Sequence, residues 1–309
     1  MFTLLTRTTA AVAIFASALA TPALAQDWKS DLPAFRVGLL GGENEADRLR
    51  KNECMVEQLG EKLGVPVELY PASDYAGVMQ GLLAGQLDAA QLGASGYAGI
   101  YLQNPEAVEP VFVALENDGS DGYYSVMYTR ADSGIESIDD MKGKTLAFAD
   151  PNSTSGYLVP KAELEMQEIN LEDYFASTGF GGGHEQAVVA VLNGQYDAGV
   201  TWTSGVGEES EGFSRGALRS MVDKDLLDMS DLRIIWQSNL IPNGPWVVRK
   251  DAPQEAKDIA IAWMETLNET DYQCYVDVSQ GEGQGFKRVD HEFFTNVVEM
   301  RRRELEGSR

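Results

Sequence analysis

Positive charge is scarce in this sequence: 24 lysines and arginines stand against 48 aspartates and glutamates, a formal charge of −24 over 309 residues. So acidic a chain repels polyanions, which excludes nucleic acid and anionic membrane surfaces as partners. A small anion is not excluded, because local donors decide recognition over a few ångströms while salt screens the distant field. Histidine and cysteine are scarcer still, with two of each: His184 and His291, Cys54 and Cys274. All four are far apart in sequence, so no metal-ligand spacing arises, and no cofactor is expected. Phosphate-binding loops and dinucleotide fingerprints are missing as well. The segment Gly93-Ala94-Ser95-Gly96-Tyr97 has tyrosine where a nucleophile elbow requires glycine. Beyond the first two dozen residues, no run is long and apolar enough for a transmembrane helix.

Those first residues have their own logic. Arg7 precedes an apolar stretch through Val12, Ile14, Phe15 and Leu19, closed by Thr21-Pro22-Ala23-Leu24-Ala25-Gln26. A basic start, a short apolar core and an Ala-x-Ala end read as a cleaved secretory signal over residues 1–25. Gln26 is then the first mature residue, and a soluble, exported, periplasmic protein is expected. In that oxidising compartment Cys54 and Cys274 can form one long-range disulfide. Both also lie in helix-like patterns that suit buried free thiols, so the two states stay open.

What is present is a repeat. Leu82-Leu83-Ala84-Gly85-Gln86-Leu87-Asp88-Ala89 matches Val191-Leu192-Asn193-Gly194-Gln195-Tyr196-Asp197-Ala198 at a shift of 109 residues, and the same shift lays Val37-Gly38-Leu39 on Leu146-Ala147-Phe148. Each copy reads strand, loop, amphipathic helix, strand, which predicts an α/β protein of two similar units. Such sheets bind ligands beyond the carboxyl ends of their strands, so two facing units make a cleft. The strand-like segments "YYSVMYTR" and "GPWVVRKD" suggest crossings near Arg130 and Pro242. The expected division is therefore 26–129 with 242–309 as one lobe and 130–241 as the other.

Three groups of residues stand out as ligand candidates. Ser153, Thr154 and Ser155 follow a strand in the second unit, at a helix start whose free N–H groups favour an oxyanion, with no arginine needed. A serine N-cap accounts for the motif alone; its place beside the cleft favours a binding role. His184 follows three glycines that permit close backbone approach. Tyr75, just after the capping Asp74, and Tyr123 can each donate one hydrogen bond and offer an apolar wall.

Asp74-Tyr75-Ala76-Gly77, Asp121-Gly122-Tyr123, Asp150-Pro151-Asn152-Ser153-Thr154-Ser155-Gly156 and Gly183-His184-Glu185 together resemble the phosphonate and phosphite substrate-binding proteins of ABC transporters. The resemblance runs in order from about Phe35 to Asp251. It implies a type II periplasmic-binding fold: two lobes, each a mixed, mostly parallel sheet flanked by helices, joined by hinge crossovers. It further implies that Tyr75 and Tyr123 of the first lobe and Ser153, Thr154, Ser155 and His184 of the second surround the phosphonate oxygens. Relatives that prefer aminoalkylphosphonates hold the amine with two acidic residues, and Ser204 and Gly244 fall at those places here. Methylphosphonate or phosphite then becomes a fitting ligand, with Trp202 and Trp246 closing a small apolar pocket, unless Glu208 and Glu209 hold an amine instead. A monomeric, non-enzymatic receptor delivering its ligand to an inner-membrane permease follows. Its rivals are a phosphate-binding protein, a sensor sharing the fold, and an exported phosphoester hydrolase with Ser153 or Ser155 as nucleophile.

Overall fold

The computed structural model describes residues 28–307; the signal assigned to 1–25 and the mature start at Gln26 lie outside them. Twelve strands form among the described residues: β1 Phe35–Leu39, β2 Val67–Pro71, β3 Ala89–Gln91, β4 Val108–Ala114, β5 Gly122–Arg130, β6 Thr145–Phe148, β7 Ser177–Phe180, β8 Ala198–Thr203, β9 Leu232–Gln237, β10 Ile241–Pro242, β11 Trp246–Arg249 and β12 Phe286–Arg288. They divide into two sheets of six. The first has the order β12-β4-β11-β3-β1-β2; the second runs β10-β5-β8-β6-β7, with β9 also on β5.

The 109-residue repeat becomes a pair of equivalent parallel ladders. Val37 pairs with Ala89 and Gly38 with Ala90, while Leu146 pairs with Ala198 and Ala147 with Gly199, the same register in both sheets. The repeated aspartates explain the repeated motif. Asp88 accepts from the Arg36 N–H at 2.9 Å, and Asp197 accepts from the Thr145 N–H at 2.8 Å, each tying the start of one strand to its neighbour. The repeated glycines, Gly85 at φ 69° and Gly194 at φ 72°, end the preceding helices in the left-handed region that favours glycine.

Helical periodicity buries one stripe of each flanking helix. In Glu53–Leu63 the buried side chains are Met55, Leu59 and Leu63, four apart, and Gly64 at φ 65° ends the helix. Each such leucine is worth roughly 1.5–3 kcal/mol on burial. Alternating residues of the first sheet feed one core beneath Phe35, Val37, Phe112 and Trp246 and another beneath Ala90, Leu92, Val113 and Val247. The second sheet is likewise covered on both faces, by clusters around Val126 and Tyr128 and around Met127, Leu146 and Val200.

Sheet membership corrects the first crossing. The strand ending at Arg130 pairs with β8, β9 and β10, so β5 belongs wholly to the second sheet and the chain crosses between Ala114 and Gly122. Tyr123 accordingly stands on the second lobe, not the first. The return falls between Pro242 and Trp246. After it, the helix Gln254–Thr270 buries Trp263, Met264 and Leu267 against the first lobe. The last helix, Thr295–Gly307, packs Val297 and Val298 there too, while its Arg301 donates to Pro151 O and Asn152 Oδ1 of the second. A disulfide joins Cys54 to Cys274 across 220 residues, linking Glu53–Leu63 to the helix Tyr272–Ser279.

Candidate functional site

The lobes meet around a cleft with about 120 Å³ of interior space, lined from one side by Leu39 to Gly41, Tyr75 and Gln91 to Gly93, and from the other by Tyr123, Ser153 to Ser155, His184 and Trp202. Its walls are in contact. A Cβ on Gly183 would lie 2.3 Å from Gly42 Cα across the gap, and Ser95 N donates to Thr154 Oγ1 at 2.9 Å. Near the mouth, Lys224 of the second lobe reaches Asp47 of the first at 3.1 Å while also holding Glu185 at 2.6 Å. This is the closed arrangement of the two lobes.

The hydroxyl segment owes its shape to β6 ending at Phe148. Asp150 accepts from Asn152 N at 2.7 Å, turning the chain, and Ser153 Oγ then accepts from Gly156 N at 3.0 Å as a cap. The first turn is wide, with Leu158 N donating to Ser153 O and Val159 N to Thr154 O, so several N–H groups at its start keep no helical partner. Gly156 is required: an added Cβ would meet Ala149 Cβ at 2.5 Å and Ser153 Oγ at 2.8 Å. The three hydroxyl residues are each no more than 2% exposed. The Tyr75 phenol faces Ser153 across the cleft, and the Tyr123 phenol lies beside Ser155 and Thr154. Burial raises the pKa of both phenols, so they are donors at any physiological pH.

His184 opens the helix His184–Leu192 and is buried. Its Nε2 lies 3.2 Å from Ser153 Oγ and its Nδ1 3.1 Å from Thr201 Oγ1. Burial lowers its pKa from 6.5 to about 4, so the ring is neutral at neutral pH. The sign for stability follows. Below pH 6.5 the unfolded chain takes up a proton that the folded protein refuses, so stability is lost as the pH falls toward 4, with a slope approaching about 1.4 kcal/mol per pH unit. Urea unfolding at pH 7.5 and pH 5 is expected to show a smaller acid loss for His184→Gln than for the unaltered protein. Equal losses in both would mean that the imidazole protonates freely in the folded state.

The phosphonate periplasmic substrate-binding protein family of ABC transporters has a model that matches residues 37–292. The chain belongs to that family. It is 31% identical over 242 residues to the phosphate-import protein PhnD of Mycolicibacterium smegmatis, covering 72% of this chain and 71% of that one. With the phosphonates-binding periplasmic protein of Escherichia coli it shares 32% over 252 residues, 78% of this chain and 68% of that protein. Among solved structures, the binding component of an ABC phosphonate transporter from Pseudomonas aeruginosa superposes with a TM-score of 0.75 at 24% identity, covering 87% and 85% of the two chains. The fold is that of the type II periplasmic binding proteins.

Around Trp202 and Gly244, this phosphonate-family chain departs from what its sequence suggests. Ser204 is not on the cleft wall: its hydroxyl is turned to Ser214 Oγ at 3.0 Å and Val206 O at 3.3 Å, consumed by its own loop. Gly244 does line the cleft, but a Cβ there would be 2.1 Å from Leu92 O, so only glycine fits. Glu208 and Glu209 are exposed and absent from the lining, which removes them as an amine site. Trp202 is present, edge-on to Tyr123 with ring centroids 5.8 Å apart. Sequence reasoning missed Arg48 and Arg215, both on the wall. Arg48 Nη1 is committed to Leu39 O, Leu40 O and Ala72 O. Arg215 stands 5.6 Å over the Trp202 ring and pairs through Nη2 with Glu116 at 3.0 Å. Neither carried a sequence signal: Arg48 is held by backbone carbonyls, and Arg215 by a carboxylate far from it in sequence.

Proposed function

We propose that this protein is the periplasmic receptor of a phosphonate importer, seating a phosphonate between its lobes and handing it to an inner-membrane ABC permease. The observation that carries the reading is the buried ring of neutral donors formed by Tyr75, Tyr123, Ser153, Thr154, Ser155 and His184. Neutral hydroxyls and free N–H groups at a helix start suit a small tetrahedral oxyanion. In a water-poor cleft, each such bond to a charged oxygen is worth about 1.5–3 kcal/mol. Both lobes supply members of the ring, so only the closed form offers all of them, and ligand shifts the population toward closure. Family membership supports the class of ligand, and the exported location agrees with the leader-like first residues. Phosphate and phosphite would satisfy the same ring, and the name of the mycobacterial relative gives phosphate weight as the alternative.

Thermal unfolding of residues 26–309 across methylphosphonate, phosphite, phosphate and sulfate tests this directly. A ligand at 100 times its Kd adds about 2.7 kcal/mol, which raises the Tm by about 5 °C or more. The reading expects that rise with methylphosphonate and none with sulfate. A rise with phosphate alone favours the phosphate alternative, and no rise with any of the four removes the whole class.

The contact between Ser153 Oγ and His184 Nε2 gives a hydrolase reading its one specific foothold. Against it, the other imidazole nitrogen meets the Thr201 hydroxyl rather than a carboxylate, so nothing stabilises an imidazolium. Release of nitrophenol from a nitrophenyl phosphate ester, lost in Ser153→Ala, would favour the enzyme; we expect none.

A further inference from the structure

We propose that Arg215 is a specificity-determining residue that selects phosphonates whose second end carries a hydrogen-bond acceptor, a carboxylate above all, over amine-bearing ones. This rests on the phosphonate-binding reading above and concerns the other end of the same cleft. Arg215 is 4% exposed and lines the cleft. Its Nη2 serves Glu116 Oε1 at 3.0 Å and Asn243 Oδ1 at 3.4 Å, while Nε and Nη1 are buried with no hydrogen-bond partner. Two guanidinium donors left buried and unmade are costly in a folded protein, and an accepting ligand removes that cost.

The neighbourhood points the same way. From the hydroxyl turn, Tyr123 leads to Trp202, and Trp202 to Arg215, so the guanidinium lies where the organic tail of a ligand held by Ser155 would extend. Glu116 is the carboxylate that faces Arg215 there: Arg215 and Asn243 both donate to its Oε1, while its Oε2 is buried without a hydrogen-bond partner. Gly244 has no room for an acidic side chain and Ser204 is turned away, so no carboxylate from those positions reaches a tail amine. Of the carboxylates that line the cleft, Glu43 adjoins Gly42 at the contact with Gly183, and Asp277 takes a bond from Gln273 Nε2 at 3.4 Å. An ammonium beside Trp202 would instead face the Arg215 guanidinium, a like charge.

Arg215 also ties the crossovers together, since Glu116 and Asn243 lie on the two connections between lobes. A purely structural role would weaken every ligand alike, so the ratio between ligands is the telling readout. Calorimetric titration of the unaltered mature protein with phosphonoacetate, methylphosphonate and 2-aminoethylphosphonate is expected to rank them in that order. Phosphonoacetate should lead by at least about tenfold, the gain from one charge-assisted bond. In Arg215→Met combined with Glu116→Gln, which leaves no unpaired buried carboxylate, that lead should fall below about threefold. The proposal is overturned if the unaltered protein binds methylphosphonate or the aminophosphonate as tightly as phosphonoacetate, or if the double variant keeps the lead. The first of these comparisons needs no variant to fold. Failure to bind any of the three would instead overturn the phosphonate reading itself.

Discussion

Gly183→Ala is expected to raise the Kd of every phosphonate by about 10- to 100-fold, because the added methyl charges an overpacking cost of about 1–3 kcal/mol to the closed state alone. The Cβ would lie 2.3 Å from Gly42 Cα and 2.5 Å from Gly42 O, atoms of the opposite lobe, so opening the cleft relieves both; the remaining contact, Gln186 Oε1 at 2.4 Å, is the end of a side chain that can swing aside in either state. Gly183 also sits at φ 153°, where a side chain is strained in either state. Its neighbour separates the two effects. Gly182 has φ 90° but nothing within 4 Å of an added Cβ, so Gly182→Ala carries backbone strain without the clash. The two variants should lose similar stability without ligand, and only Gly183→Ala should lose binding and resist compaction by ligand in small-angle scattering. Equal Kd values for the pair would mean that ligand is held without the contact between Gly42 and Gly183.

Removing the disulfide should have the largest effect on stability. The bridge between Cys54 and Cys274 closes a span of 220 residues, and restricting so long a segment of the unfolded chain is worth about 2–5 kcal/mol. Cys54→Ala with Cys274→Ala should therefore lower the Tm by about 10 °C. The affinity for methylphosphonate should persist, since the bridge links two helices over the core beneath Phe35 and Trp263 rather than the hydroxyl turn. Dithiothreitol should produce the same loss in the unaltered protein. A drop under about 2 °C would mean that the packing of Met55, Leu59 and Trp263 holds the helices without it.

Much of the fold could be read from short stretches, because the forces that set them act locally. Asp88 and Asp197 recur because each parallel ladder needs an acceptor for the N–H at the start of its neighbour. Gly85 and Gly194 recur because each helix must stop in a left-handed turn. Ser153 and His184 were visible as donors near strand ends for the same reason. Tyr123 was harder: a strand's sequence tells that it pairs, not with which sheet, and β5 joined the second because β8, β9 and β10 flank it.

By itself, the sequence determined the strand and helix elements of the doubled unit and the hydroxyl and imidazole donors at its strand ends, which are set by residues within one turn or one strand of each other, and its family resemblance implied the class of ligand. Only the tertiary structure decided which distant groups share a space. It joined Cys54 to Cys274, turned Ser204 into its own loop, set Gly42 against Gly183, and brought Glu116, Arg215 and Asn243 together at the crossovers. Those choices follow from the packing of two complete sheets, whose relative placement no local pattern contains.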